Sequence, residues 1–177
     1  MRLVFIRHTS VAVERGVCYG QSDVPVAETF ETEAEAVKMR LEAFRFDRVY
    51  SSPLSRCTKL AAYCGYNNPI TDSRLLEMNF GEWEMKRFDE ITDPRLRLWY
   101  DDYLNVQATG GESAMEQRAR LEDFITDLSA TCDSNETIAI FCHGGIIIHA
   151  MAILGRLDYT EAFRHQPGYG AISEWHI

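Results

Sequence analysis

Two short apolar runs, one near each end of the chain, both stop at a histidine. Residues 3–6 read Leu-Val-Phe-Ile and lead into Arg7 and His8. Residues 137–142 read Thr-Ile-Ala-Ile-Phe-Cys and lead into His143 and two glycines. Unbroken apolar runs of this length indicate strands buried on both faces, as in a parallel sheet. The sequence therefore predicts an α/β fold with a mostly parallel central sheet.

The carboxyl ends of these two strands form the expected ligand-binding edge, because open parallel sheets bind ligands there. Arg7 and His8 follow one strand, and His143 follows the other. Arg56 lies in the first turn of a predicted helix, where the helix dipole disfavours a basic residue and a bound anion would relieve the conflict. If the strands are neighbours, the two histidines face one crevice. This convergence favours a phosphate pocket over surface arginines and packed histidines.

The overall charge argues against a polyanionic partner. The chain has 18 Lys and Arg against 27 Asp and Glu, a net charge of −9, which repels nucleic acid and anionic lipid. No apolar run approaches the roughly 18 residues of a membrane span, and the N-terminus lacks a signal-peptide pattern. We therefore expect a cytoplasmic protein with no nucleic-acid or membrane partner. The five cysteines include no C-x-x-C pair and are expected to be reduced.

Periodicity and capping residues predict the elements between the two strands. An apolar face from Phe30 to Phe44 predicts a helix over about 28–44. Ser52 as cap and Pro53 as first residue predict that another helix begins there. The remaining predictions are strands over 47–50, 69–71 and 171–176, a helix over 113–130 with Met115, Leu121, Phe124, Ile125 and Leu128 on its buried face, and a helix over 146–154.

Residues 75–84 fit neither the helix nor the strand period. Aromatic side chains around Glu77 would desolvate its carboxylate and raise its pKa, whereas Glu82 and Glu84 are interpreted as surface groups. Residues 8–27 form a long loop that starts where the first strand ends, as binding loops do. Residues 86–108 are charged and aromatic, and they predict one or two short helices.

Five motifs occur along the chain in an order typical of one family. They are Arg7-His8, the Ser-Ser-Pro-Leu-Ser-Arg run at 51–56, Glu77 followed by Phe-Gly-Glu-Trp-Glu at 80–84, Gly-Gly-Glu-Ser at 110–113, and His143-Gly144. This pattern resembles the histidine phosphatase superfamily (phosphoglycerate mutase-like) over nearly the whole chain. The loop at 18–23 and the short insertion after Glu77 further resemble the small bacterial alpha-ribazole phosphatases of cobalamin nucleotide-loop assembly.

The resemblance implies a three-layer α/β/α sandwich formed by a single domain over 1–177, with about 77–112 as a lobe over the site. It also implies a metal-independent phosphomonoesterase that needs no cofactor. The implied partner is a small-molecule phosphate monoester such as alpha-ribazole 5′-phosphate, and a homodimer stays open. Alternatives are a broad sugar- or nucleotide-phosphate phosphatase and a non-catalytic phosphate-binding module. A mutase is disfavoured because the mutase relatives carry longer insertions.

The resemblance also implies a role for each site residue. His8 would attack phosphorus and carry a phosphohistidine, since neutral histidine is a competent nucleophile. Glu77 would protonate the leaving alkoxide and then deprotonate the water that clears His8. The phosphoryl oxygens would be held by Arg7, Arg56 and His143, with further contacts from Gln21 and the Gly144 backbone N–H.

Some positions depart from the family pattern or stand outside it. Thr9 replaces the usual glycine, and Glu14, where relatives often have asparagine, is expected to point away from phosphate. Cys142 as a nucleophile is disfavoured, because its strand context indicates core packing. His149 is too far from His143 on a helix to form a zinc pair. We expect His165 on the surface and His176 in a structural role.

Overall fold

Five strands form the central sheet of the computed structural model, which describes residues 1–177. The strands are β1 (Arg2–Arg7), β2 (Arg48–Ser51), β3 (Ile70–Thr71), β4 (Thr137–Cys142) and β5 (Ile172–His176). Their order in the sheet is β3-β2-β4-β1-β5, and every pairing is parallel except β1 with β5. The expectation of a mostly parallel central sheet is confirmed.

Six helices accompany the sheet. They are α1 (Phe30–Leu41), α2 (Ser55–Tyr63), α3 (Arg95–Asp101), α4 (Ala114–Thr131), α5 (Gly144–Ile153) and α6 (Tyr159–Arg164). Three short 3₁₀ turns lie at Ser73–Leu75, Gly81–Trp83 and Phe88–Glu90. None of the helices is long and apolar enough to cross a membrane.

The side chains of β1 point alternately to the two faces of the sheet, as in any strand. They therefore contribute to two layers of the core, one on each face. Leu3 and Phe5 pack with residues of α4 and α5 on one face of the sheet. Val4 and Ile6 pack with residues of α1 and α2 on the other face. The chain therefore forms the expected three-layer α/β/α sandwich.

The register of β1 and β4 brings the two histidines to one edge of the sheet. Arg7 is opposite Cys142 in the parallel ladder, so His8 and His143 leave the sheet side by side. The His8 backbone N–H still donates to the Cys142 carbonyl at 3.1 Å. The sequence hypothesis that these strands are neighbours is confirmed.

The start of α2 differs from the prediction that Ser52 caps it and Pro53 begins it. The helix begins at Ser55, whose backbone N–H donates to the Asp23 carboxylate at 2.8 Å. A cap from a distant loop cannot be read from local sequence. The Ser52 hydroxyl accepts a long hydrogen bond from the Leu54 N–H at 3.4 Å and lies 2.8 Å from His143 Nε2. The predicted cap residue is thus part of the histidine's surroundings.

Other predicted elements are confirmed with adjusted limits. The helix expected over 28–44 is α1, which ends at Leu41, and that expected over 146–154 is α5, which begins two residues earlier. Met115 was wrongly placed on the buried face of α4, since it is 37% exposed in the first turn of the helix. Helix α6 was not predicted, because its six residues are too few to show a period.

A small separate cluster of buried side chains lies outside the two layers of the core. Cys18, Trp83, Leu96 and Ala108 form it. The aromatic residues Phe80, Phe88 and Trp99 pack against it from the segment that contains α3. This cluster gives the irregular segment between β3 and α4 its own apolar support.

Candidate active site

His8 is buried at the end of β1, and its protonation state follows from its surroundings. Its Nδ1 lies 2.7 Å from the Thr9 carbonyl oxygen, which can only accept, so Nδ1 carries the hydrogen. Burial, followed by the positive charge of Arg56, lowers the pKa of His8 from 6.5 to about 3. The ring is therefore neutral at physiological pH, and its Nε2 carries a free lone pair.

His143 stands beside His8 at the end of β4. The two rings meet edge to face, with centroids 5.2 Å apart. Burial and the nearby positive groups hold the pKa of His143 well below its usual range. The Ser52 hydroxyl and the Cys57 thiol, 2.8 Å and 3.6 Å from Nε2, fix the orientation of the ring. Two neutral imidazoles thus converge on one position, as the sequence predicted.

Arg7 and Arg56 bring two guanidinium groups to the same place. Arg7 donates to the Pro167 carbonyl, and its guanidinium lies 4.3 Å from the centre of the Tyr169 ring. Arg56 is fully buried and donates to the carbonyls of Gly20 and Ser22 at 2.7 Å and 2.9 Å.

Three buried polar atoms here have no hydrogen-bond partner within the protein. They are Nε of Arg7, Nε of Arg56 and the Thr9 hydroxyl oxygen. Unpaired buried donors are costly, and they are commonly found where a site binds a ligand or an ion. Together with the two arginine charges, they make this a site suited to an anion with several oxygens.

Glu77 lies at the N-terminus of α5 and is held by three hydrogen bonds. Its Oε1 accepts from Gln117 Nε2 and the Met78 N–H, both at 2.9 Å, and its Oε2 accepts from the Gly145 N–H at 3.1 Å. Burial by itself raises the pKa of a carboxyl group, but these donors and the charge of Arg7 outweigh it and lower the pKa of Glu77. The expectation that aromatic neighbours raise this pKa is wrong for the free protein.

The glycines at the start of α5 are explained by close contacts. A Cβ on Gly144 would lie 3.2 Å from Cζ of Arg7, and one on Gly145 would lie 2.3 Å from Oε1 of Glu77. A side chain at 145 would displace the Glu77 carboxylate, and one at 144 would press on the Arg7 guanidinium, so glycines here let both groups approach the N-terminus of this helix. Gly144 thus lies against Arg7, and the contact of its N–H with phosphate stays a prediction.

Gln21 has a different environment from the one expected of a phosphate contact. Its side-chain amide donates to the Glu77 carbonyl at 3.0 Å, so it supports the segment that carries the carboxylate. Its backbone N–H donates to Glu84 at 2.8 Å. Glu84 was wrongly interpreted as a surface group, because it also accepts from Ser22 and Phe80 and orders this loop.

A cavity of about 490 Å³ adjoins Arg7, Glu77 and Gly145. Seven aromatic side chains line it: Tyr19, Phe80, Phe88, Trp99, Tyr100, Tyr103 and Phe163. His8, which is only 1% exposed, lies beyond the cavity wall. The hydroxyls of Tyr19 and Tyr169 lie 3.1 Å apart and tie together the two loops beside it.

The remaining candidate residues differ in exposure. Glu14 and His165 are exposed, as expected, and His176 lies in the last strand, β5, where its side chain is exposed. Cys142 is fully buried and burial raises its pKa well above the usual range, which argues against a nucleophile.

Sequence reasoning missed Ser52, Gln117 and His149 as neighbours of the site. Gln117 and His149 are buried polar residues on helices whose other buried residues are mainly apolar. The sequence signal that could have identified Gln117 and His149 was a polar side chain on an otherwise apolar helix face.

Together, the three-layer α/β fold and the cluster of two histidines and two arginines at one edge of its sheet define a protein with an anion-binding site of the kind found in phosphatases. Residues 3–177 match the model of the histidine phosphatase superfamily (branch 1), and the chain belongs to this family. It is a phosphatase with the phosphoglycerate mutase-like fold, which excludes the alternative of a non-catalytic phosphate-binding module.

Relatives within the family differ in the substrates for which they are named. The adenosylcobalamin/alpha-ribazole phosphatase of Salmonella typhimurium strain LT2 is 29% identical over 154 residues, 83% of this chain and 76% of that protein. The alpha-ribazole phosphatase of Shigella flexneri superposes with a TM-score of 0.88 at 25% identity, covering 98% of this chain and 89% of that one. A mycobacterial glucosyl-3-phosphoglycerate phosphatase superposes with a TM-score of 0.84 at 25% identity, covering 98% and 88%.

Proposed function

We propose that this phosphatase hydrolyses phosphomonoesters through a phosphohistidine on His8, and that its substrate is alpha-ribazole 5′-phosphate. The observation that carries the mechanism is the convergence of four groups from β1, α2 and β4. A neutral imidazole with a free Nε2, a second imidazole and two guanidinium groups surround one position. Phosphoryl transfer depends on such positioning and charge complementarity, and these groups provide both without a metal.

In the first step, His8 Nε2 attacks phosphorus and a P–N bond forms. The bond from phosphorus to the ester oxygen breaks, and the departing alkoxide takes a proton from the Glu77 carboxyl group. In the second step, Glu77 removes a proton from water, whose oxygen attacks phosphorus and breaks the P–N bond. Inorganic phosphate leaves and His8 is neutral again. Arg7, Arg56 and His143 hold the phosphoryl oxygens, with the Gly144 N–H as a further contact, while Gln21 supports the segment that carries Glu77.

This cycle requires Glu77 to be protonated when substrate is bound, although its pKa is lowered in the free protein. A phosphate dianion next to the carboxylate repels its negative charge and neutralises Arg7. Both effects raise the carboxyl pKa. Substrate binding thus supplies the proton-donating form that the first step needs.

The aromatic cavity supports the substrate assignment. It opens beside Glu77, where the leaving group must lie, and aromatic side chains dominate its lining. Alpha-ribazole carries an aromatic benzimidazole base, which stacks favourably on such rings. We propose that residues 77–112 form a lobe over the site that binds this base. Entry of the phosphate group to His8 then involves separation of Tyr19 from Tyr169.

A broad sugar-phosphate phosphatase is the second candidate, supported by the resemblance to the mycobacterial sugar-phosphate enzyme. A panel of phosphomonoesters assayed in EDTA distinguishes the two. We expect kcat/KM for alpha-ribazole 5′-phosphate to exceed that for glucose and glycerol phosphates by at least about tenfold, given the stacking available. Equal kcat/KM across the panel would favour the broad phosphatase, and loss of activity in EDTA would contradict the metal-independent mechanism.

A further inference from the structure

Gln117 on α4 is buried between Glu77 and His149. Its Nε2 lies 2.9 Å from Glu77 Oε1, and its Oε1 lies 3.2 Å from His149 Nε2. An ionised carboxylate can only accept hydrogen bonds, so the NH₂ group of Gln117 must face Glu77. The carbonyl oxygen of the amide must then face His149. The two neighbours of Gln117 thus determine which way its amide points.

His149 on α5 extends this arrangement by one further hydrogen bond. Because Gln117 Oε1 accepts, His149 Nε2 must carry the hydrogen. Burial lowers the pKa of His149 to about 4, so the ring is neutral and its Nδ1 is an acceptor. Nδ1 lies 2.9 Å from the Tyr159 hydroxyl, which therefore donates. The hydrogen bonds run in one direction, from Tyr159 through His149 and Gln117 to Glu77.

We propose that His149 and Gln117 are positioning residues for Glu77. The hydrogen-bonded chain holds the Gln117 NH₂ group on the carboxylate and sets the pH range in which Glu77 exchanges its proton. If His149 could not donate, the Gln117 carbonyl oxygen would lose its buried donor, and the hydrogen bond from the Gln117 NH₂ group to Glu77 would weaken. This inference rests on the proposed role of Glu77 as acid and base.

The charged and titratable groups around this chain come from several elements. Those near Glu77 or His149 are Arg7 and neutral His8 at the end of β1, Tyr19 in the following loop, Arg118 and Arg120 on α4, Tyr159 on α6, and the thiols of Cys18, Cys57 and Cys142. Arg120 also donates to the Glu77 carbonyl at 3.0 Å. Substitution of Gln117 or His149 leaves each of these groups in place. A shift in the Glu77 titration is therefore attributable to the lost hydrogen bond.

The direct test is the titration of the Glu77 side-chain carboxyl by ¹³C NMR in the free protein, assigned with Glu77→Gln. Gln117→Met keeps the length of the side chain but cannot donate, and His149→Phe keeps a ring but cannot donate to Gln117. We expect either variant to raise the carboxyl pKa by about one unit, since a charge-assisted hydrogen bond is lost. His149→Gln, whose amide can donate to Gln117, is expected to restore the wild-type titration.

The kinetic readout is the pH dependence of kcat/KM for an alkyl phosphate and for p-nitrophenyl phosphate. The part of the kcat/KM profile that reports the protonation of Glu77 is expected to move to higher pH in Gln117→Met and His149→Phe. The loss in kcat is expected to be greater for the alkyl ester, whose leaving group needs a proton. His165→Gln, an exposed histidine at the end of α6, is the matched control and leaves both quantities unchanged.

An unshifted Glu77 titration in both folded variants would overturn the inference, as would a shifted titration without a shift in the pH–rate limb. If either variant fails to fold, Tyr159→Phe at the outer end of the chain replaces it. It is expected to shift the pKa in the same direction by a smaller amount, and no shift would contradict the proposal. Full activity of Glu77→Gln would instead contradict the proposed function, so the two failures are distinguishable.

Discussion

The rings of His8 and His143 lie edge to face with their centroids 5.2 Å apart. This contact exists because β1 and β4 are adjacent parallel strands and Arg7 is opposite Cys142. Two residues far apart in the chain thus occupy equivalent positions at one edge of the sheet. In the proposed mechanism, His8 offers its lone pair to phosphorus and His143 contacts the same phosphoryl group.

Replacement of His8 by Asn tests the nucleophile. Asn keeps a polar side chain that can still bond to the Thr9 carbonyl, but it cannot form a stable bond to phosphorus. We expect kcat for p-nitrophenyl phosphate to fall by at least about 10³-fold, as when other covalent nucleophiles are removed. His165→Asn, at an exposed site, serves as control and keeps wild-type turnover. A His8→Asn protein with more than a tenth of wild-type kcat would contradict the assignment.

Arg7→Lys tests the bidentate hydrogen bonds that the Arg7 guanidinium is expected to donate to phosphate. Lysine keeps the positive charge but cannot offer paired N–H groups or stack in the same way on Tyr169. We expect the inhibition constant for inorganic phosphate to rise by about tenfold or more. Arg2→Lys, at the other end of β1, is the matched control and leaves this constant unchanged. Equal inhibition of all three proteins would show that Arg7 does not bind phosphate.

Much of the fold was predictable from the apolar runs and their spacing. The limits of β4 match the prediction, and α1 buries Ala34, Val37 and Leu41 on one face as expected. The start of α2 was not predictable, because its cap is the side chain of Asp23, 32 residues earlier. Helix α6 was missed because six residues show no clear period.

The candidate site was predictable where residues lie at strand ends, as for His8 and His143. The state of Glu77 was not, because its three hydrogen-bond donors come from α4, the N-terminus of α5 and its own neighbour. Tertiary contacts from three segments decide whether a buried carboxyl gains or loses its proton. Local sequence shows only that aromatic residues follow it.

The low pKa values of His8 and His149 predict a loss of stability at acid pH. Between pH 6.5 and these low pKa values, both histidines are neutral in the folded protein but protonated in the unfolded chain. Unfolding therefore takes up protons, and the free energy of unfolding decreases as the pH decreases. The contribution of the two histidines to the free energy of unfolding is fully present above about pH 6.5 and is lost progressively as the pH decreases toward their pKa values in the folded protein. At about pH 5, each histidine accounts for a loss of about 2 kcal/mol.

Urea denaturation at about pH 7.5 and about pH 5 measures this effect. In His8→Asn, the difference in free energy of unfolding between the two pH values is expected to shrink by about 2 kcal/mol. His165→Asn, which removes an exposed histidine, is expected to leave the difference intact. The same pH dependence in His8→Asn and the wild type would mean that His8 titrates normally in the folded protein.

Tyr103→Leu tests the role of the aromatic cavity in substrate choice. Tyr103 lines the cavity and packs on Phe163 with ring centroids 4.8 Å apart. We expect KM for alpha-ribazole 5′-phosphate to rise by about fivefold, as expected for the loss of one aromatic contact. KM for glycerol phosphate, which has no aromatic group, is expected to stay constant. A parallel rise for both substrates would indicate a general disturbance of the site instead.

The phosphoenzyme itself is the most direct measurement of the central claim. Protein quenched in alkali during turnover is digested at alkaline pH and analysed by mass spectrometry, because phosphohistidine is stable to alkali and labile to acid. The account predicts one phosphate on the peptide that contains His8, and none in His8→Asn. Phosphate on Ser51 or Ser52, or an equal amount of phosphoenzyme in His8→Asn, would contradict it.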